Sequence, residues 1–195
     1  MNVFFRSFFN FKIFNKEKAK NLSGPLLIIS NHKYFLDSFA LGGALLLASK
    51  LWPLRIMGEA KKFNQPLIEF LRKIGFIGFI YFLFGVFPAV RGQDLEISLV
   101  EPLKILGEGG VVFLHPEGKV IREEEIGQFK RGAAFLALQT KTDILPVAFS
   151  IKKKKFRKNY YVKFGETFKL PGGLSVEEGA DYMRNVIVKL YESLP

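Results

Sequence analysis

A chain of 195 residues supports one hydrophobic core and is too short to suggest two independent domains. It contains no cysteine, which excludes a thiol nucleophile, a thiolate zinc site and any disulfide framework, so its chemistry must use oxygen or nitrogen groups. Its 29 Lys and Arg against 18 Asp and Glu give a formal charge of +11, and 22 Phe make it greasy as well as basic, which points to an anionic membrane surface rather than to nucleic acid.

The first twenty residues place Phe4, Phe8 and Phe11 at helical spacing beside Phe5, Phe9 and Phe14, and close in Lys16, Lys18 and Lys20. This predicts an interfacial helix, an arm over 1–20 that associates with a membrane, or else a terminal helix packed on the core, ahead of one domain over 21–195. Strands are expected at Leu26–Ser30, Leu54–Met57, Val111–Leu114 and Leu145–Ile151, with a further edge strand at Asn159–Phe164. Helices are expected at Phe35–Ala48, Pro66–Ile74, Leu95–Leu106, Gly132–Gln139 and Val176–Leu194. Ser175 and Glu178 form a capping box for the last. The uncharged run from Ile74 to Val90 is shorter than a membrane span and is broken by Gly75, Gly78, Gly85 and Pro88, so it reads as core or as a shallow insertion. Lys152 to Lys155 reads as a solvated turn between edge strands, or as a lipid-facing contact. The alternation of strands and helices predicts an α/β fold, a single-domain sheet flanked by helices.

Strand LLIIS runs directly into NHKYFLD, at the kind of strand end where α/β folds build sites. Five residues apart on one helix, His32 and Asp37 would point about 140° from each other. They meet only if His32 precedes the helix and Asp37 lies in its first turn. A carboxylate on one imidazole nitrogen then leaves the other free to take a proton from a hydroxyl. With no serine in the relay, the attacking oxygen belongs to the substrate. The same two residues also suit a helix cap or a buried hydrogen bond.

A second strand ends in His115, Pro116, Glu117 and Gly118, where Gly118 permits a positive φ. Lys130 and Arg131 precede a helix whose free amides at Gly132 and Ala133 suit an anion, or form a basic loop beside a core helix. Arg91 emerges from an apolar run and needs a partner, whether a phosphate, Asp94 or Glu117.

Taken in order, NHKYFLD, FPAVRG, FLHPEGK with FKRG, and ILPVAF resemble the phosphate-lipid acyltransferases that include the glycerol-3-phosphate and lysophosphatidic acid enzymes. The resemblance runs from Leu26 to Phe168. It implies that His32 is the general base, that Asp37 orients it, that Arg91 binds the acceptor phosphate, and that Glu117 and Gly118 shape the acceptor site. Lys130 resembles a further anion contact. Lys119 and Val120 stand where the family carries threonine and arginine, and His115 also departs from the pattern, so Lys119 is expected to supply the missing charge. The implied activity moves an acyl group from acyl-CoA or acyl carrier protein to a lysophospholipid, 1-acylglycerol-3-phosphate first, with no cofactor and no metal. Another lysolipid or acylated amino-acid acceptor, or an inactive membrane scaffold, are the competing readings. The expected place is the cytoplasmic face of a membrane, peripheral or monotopic.

Overall fold

A computed structural model describes residues 9–34, 37–45, 50–58, 66–83, 85–89, 93–121, 123, 125–154 and 157–195. Seven strands are present among them: β1 (Phe9–Phe14), β2 (Leu26–Ser30), β3 (Leu54–Gly58), β4 (Val86–Pro88), β5 (Val111–Leu114), β6 (Asp143–Lys154) and β7 (Arg157–Phe164). They form one sheet in the order β1-β7-β6-β2-β5-β3-β4. The five strands from β6 to β4 are parallel to their neighbours, whereas β7 turns back antiparallel on β6 and β1 runs parallel to β7.

The helices are α1 (Glu17–Lys20), α2 (Asp37–Leu45), α3 (Pro66–Lys73), α4 (Phe76–Leu83), α5 (Leu95–Ser98), α6 (Val100–Gly107), α7 (Gly132–Thr140) and α8 (Val176–Glu192). Strand parity decides which helices cover which face. Leu26, Ile28, Val111 and Phe113 pack with Leu41 and Leu45 of α2, while Leu27, Ile29, Val112 and Leu114 pack with α6, α7 and α8 through Leu106, Leu136 and Met183. Because β2 and β5 are buried on both faces, they read as unbroken apolar runs. The single-domain α/β expectation is met.

The expected strands and most expected helices appear within a few residues, and the Ser175–Glu178 capping box is complete. Four expectations need correction. Residues 9–14 form a strand rather than part of a helix, since FNFKIF also alternates with a period of two, and Phe11 and Ile13 pack on the core while Lys12 is exposed. Consequently β7 is not an edge strand, because β1 pairs along its outer side. Lys152, Lys153 and Lys154 are not in a turn but extend β6, paired with Asn159, Lys158 and Arg157. The helix expected over Leu95–Leu106 is two helices meeting at Leu99, since Pro102 has no N–H to give the carbonyl four residues before it.

The run after Ile74 divides, with β4 carrying Phe87 into the core and α4 left outside it. Helix α4 leaves Phe76, Phe79 and Phe82 facing solvent, the last 81% exposed, and Phe70 and Ile74 are exposed beside them. Among the described residues no helix is long and apolar enough to cross a membrane.

Candidate active site

The register of the central strands brings the two sequence blocks together. Ile29 pairs with Leu114, so β2 and β5 end side by side and release His32 and His115 at the same edge of the sheet. The two imidazoles stack, with centroids 3.9 Å apart and planes 11° from parallel.

Asp37 opens α2 and is fully buried. Its Oδ2 accepts from the backbone N–H groups of Lys33 at 2.7 Å and Tyr34 at 2.8 Å, so the loop folds around the carboxylate. The same oxygen lies 2.9 Å from His32 Nδ1. A carboxylate already accepting two amides must also accept from the ring, which puts the proton on Nδ1 and leaves Nε2 with a lone pair. The His32 side chain keeps 17% of its surface exposed. Burial pushes the Asp37 carboxyl above the usual carboxylate range, against the opposing pull of its hydrogen bonds to His32 and the loop amides. Tyr160, on β7, donates its hydroxyl to the other oxygen, Oδ1.

His115 is fixed by its own partners. Its Nδ1 faces the Asn31 carbonyl at 3.1 Å, an acceptor that requires a proton on that nitrogen, and Ser30 Oγ at 2.9 Å. Its Nε2 then accepts from Ser38 Oγ at 3.2 Å. Burial first and the neighbouring His32 second push its basicity well below the ordinary imidazole range, so it stays neutral.

Glu117 braces the His32 main chain. Its Oε2 accepts from the His32 N–H at 2.7 Å and its Oε1 from the Gly127 N–H at 2.9 Å. Burial raises its pKa, with the two amides pulling the other way. The Ile121 N–H donates to the His32 carbonyl at 2.7 Å, so the segment after β5 grips His32 by its main chain on both sides. Lys33, buried, holds the carbonyl oxygens of Glu123 and Glu125 and lies 5.0 Å over the Tyr191 ring. Arg184 of α8 holds the carbonyls of Ile126 and Gly127.

Gly118 takes a φ of +66°, closing a turn in which its N–H meets the His115 carbonyl at 3.0 Å. A methyl group there would lie 2.9 Å from Lys130 Nζ, so the lysine side chain crosses directly over the glycine. Lys130 and Lys119 are exposed. Arg131 turns instead to Glu177 near the start of α8, 3.2 Å away at the surface. Arg91 lies outside the described residues. His32, Asp37 and Glu117 are therefore joined by hydrogen bonds, the Lys130 side chain lies over the turn that Gly118 closes, and Arg131 belongs to a separate ion pair. Sequence reasoning misses Tyr160, Lys33 and Arg184, and it places His115 at a strand end without giving it a role.

A scan against protein families matches the Acyltransferase family over residues 10–150. The chain belongs to the Acyltransferase family. Among curated relatives, the 1-acyl-sn-glycerol-3-phosphate acyltransferase of Bacillus subtilis is 31% identical over 153 residues, covering 75% of this chain and 67% of that protein. The human 1-acyl-sn-glycerol-3-phosphate acyltransferase beta is 33% identical over 143 residues, 68% of this chain and 46% of that one. A chloroplastic 1-acyl-sn-glycerol-3-phosphate acyltransferase of Arabidopsis thaliana is 28% identical over 142 residues, 72% of this chain and only 36% of its own length. The chain thus spans between 36% and 67% of these relatives. The crystal structure of the 1-acyl-sn-glycerophosphate acyltransferase PlsC from Thermotoga maritima matches with a TM-score of 0.67 over 95% of this chain and 72% of that one. At 18% identity that likeness shows a shared fold.

Proposed function

We propose that the chain transfers a fatty acyl group from a thioester donor, acyl-CoA or acyl carrier protein, to the free hydroxyl of a lysophospholipid, with 1-acylglycerol-3-phosphate giving phosphatidic acid as the leading reaction. The observation that carries this reading is the His32–Asp37 contact at 2.9 Å, at the end of the central strands of an acyltransferase-family chain. The names of the relatives support the acceptor.

In the proposed sequence His32 Nε2 takes the proton of the acceptor hydroxyl as its oxygen attacks the thioester carbonyl. Asp37 stabilises the imidazolium. The tetrahedral intermediate collapses, the C–S bond breaks, and the thiolate leaves with the proton carried by His32. No acyl-enzyme is needed. Arg91, Lys119 and Lys130 bind the acceptor phosphate, with Gly118 allowing Lys130 to lie over the turn. Glu117 acts by holding the His32 main chain rather than by touching the acceptor.

The protein works at a membrane surface, with α4 entering the lipid interface and the excess of basic residues drawing it to anionic head groups. Lys119 and Val120, where the family carries threonine and arginine, favour including other lysolipid acceptors in any test.

The test incubates purified protein with a panel of lysophospholipids, a monoacylglycerol and both donor types, and reads products by mass spectrometry. Phosphatidic acid from 1-acylglycerol-3-phosphate is expected. His32→Ala should lower its formation by roughly a hundredfold or more while the protein stays folded. Arg91→Ala should raise the KM for phosphorylated acceptors and leave the weak monoacylglycerol reaction nearly unchanged. Product from a different lysolipid alone would move the acceptor assignment, and full turnover by folded His32→Ala would discard the mechanism.

A further inference from the structure

Asp37 Oδ2 is held entirely from its own loop, by His32, Lys33 and Tyr34. These donors fix one oxygen and leave the second to be satisfied from elsewhere, because a buried charged oxygen without a donor is costly. The donor comes from the far side of the sheet's reversed strands: Tyr160 of β7 reaches Oδ1 with its hydroxyl. Asp37 is thus tethered from two directions, and the imidazole that it orients inherits that constraint.

The Tyr160 ring is itself held. It is buried, tilts against Phe149 with centroids 6.0 Å apart, and stacks on Phe11 at 4.9 Å with planes 8° from parallel. Phe11 is the residue opposite Tyr160 in the β1–β7 register. A strand from the beginning of the chain therefore backs the ring that holds the catalytic carboxylate.

We infer that Tyr160, backed by Phe11, is a positioning residue for acyl transfer: its hydroxyl sets the Asp37 carboxylate that orients His32. The inference rests on the His32 general-base reading above.

The alternative is a core tyrosine whose hydroxyl has merely found an acceptor. The two differ in pH behaviour. Among the described residues, the titratable and charged groups around this carboxylate are His32, Lys33 and Tyr34 from its own loop, Tyr160 from β7, and His115 and Glu117 from β5 and the loop after it. Removing the tyrosine hydroxyl leaves the carboxylate's charge less spread and less satisfied. Asp37 then takes up a proton at higher pH. The acid limb of the kcat/KM profile moves upward with it.

The experiment measures kcat, acceptor KM and the pH profile of kcat/KM for Tyr160→Phe, which keeps the ring. Expected are a loss of roughly ten- to a hundredfold in kcat, since the lost hydrogen bond is to a charged group, little change in acceptor KM, and an acid limb at higher pH. Phe11→Ala, which keeps the hydroxyl but removes its backing, should shift the limb in the same direction by less. In a His32→Ala background Tyr160→Phe should cost nothing further. An unshifted limb in folded Tyr160→Phe, a full additional loss in the His32→Ala background, or failure of Tyr160→Phe to fold would each overturn the positioning role. Turnover that survives His32→Ala defeats the general-base reading itself, whereas a crippled His32→Ala beside an unaffected Tyr160→Phe defeats only the inference about Tyr160.

Discussion

At Asp37 two effects compete. Burial disfavours the ionised carboxylate, while His32 and the loop amides favour it, and burial prevails. With the folded-state pKa above its unfolded value, the native state holds that proton more tightly, so the contribution of this group to stability is greatest at low pH and is lost as pH rises through the raised value. The proposed mechanism needs the opposite form. Activity is therefore expected to fall with decreasing pH before an ordinary aspartate would protonate, in the range where the fold gains from the same proton. Asp37→Asn should drop turnover by roughly two orders of magnitude or more, because an amide oxygen facing the ring and the two loop N–H groups carries no negative charge to stabilise the His32 imidazolium. Its thermal unfolding midpoint at neutral pH should not fall. A turnover assay beside a melting curve checks both, and a variant that merely unfolds would reduce Asp37 to a helix cap.

At the scale of elements, α4 is the anomaly. A helix of a monomeric α/β domain normally turns its apolar stripe inward, yet Phe76, Phe79 and Phe82 lie outward with Phe70 and Ile74 nearby. These rings keep 47%, 58% and 81% of their surface exposed, so replacing them should cost the fold little. The triple variant Phe76→Ser, Phe79→Ser, Phe82→Ser is expected to keep its thermal midpoint and to lose partitioning into vesicles, read by co-sedimentation. Unchanged partitioning would move the lipid contact to another part of the chain. Strand β1 behaves oppositely. A truncation of 1–20, attractive if those residues were a detachable arm, would strip the outer partner from β7 and the backing from Tyr160.

For the molecule as a whole, charge and grease act together, and salt separates them. In the proposed membrane-surface role, the +11 excess would attract an anionic leaflet over a Debye length of about 10 Å at 0.1 M salt, which shrinks to about 3 Å at 1 M, whereas apolar insertion is not screened. Binding to anionic vesicles should therefore fall as salt rises and level off at a residual value carried by α4. Binding to uncharged vesicles should be weak and indifferent to salt. Salt-independent binding to both would remove electrostatics from the account.

Much of this protein was legible without coordinates. The unbroken apolar runs of β2 and β5, the Ser175–Glu178 cap and the His32–Asp37 spacing are local patterns, written within a few residues of chain, and each appears where it was expected. Even the demand that Asp37 sit in the first turn of its helix followed from helical geometry alone. Other features are contacts between distant segments. FNFKIF can be read with either period, and its pairing with β7, 149 residues away at Asn10 and Asn159, settles it as a strand. Whether α4 is covered or bare depends on what the rest of the chain leaves over it. Glu117 in sequence is a carboxylate in a motif, and in the fold both of its oxygens are taken up by main-chain amides. Tyr160 reaches Asp37 across 123 residues, with no spacing to announce it. Periodicity and caps are set by neighbours along the chain, but register, exposure and the last hydrogen bond to a buried carboxylate are set by neighbours in space.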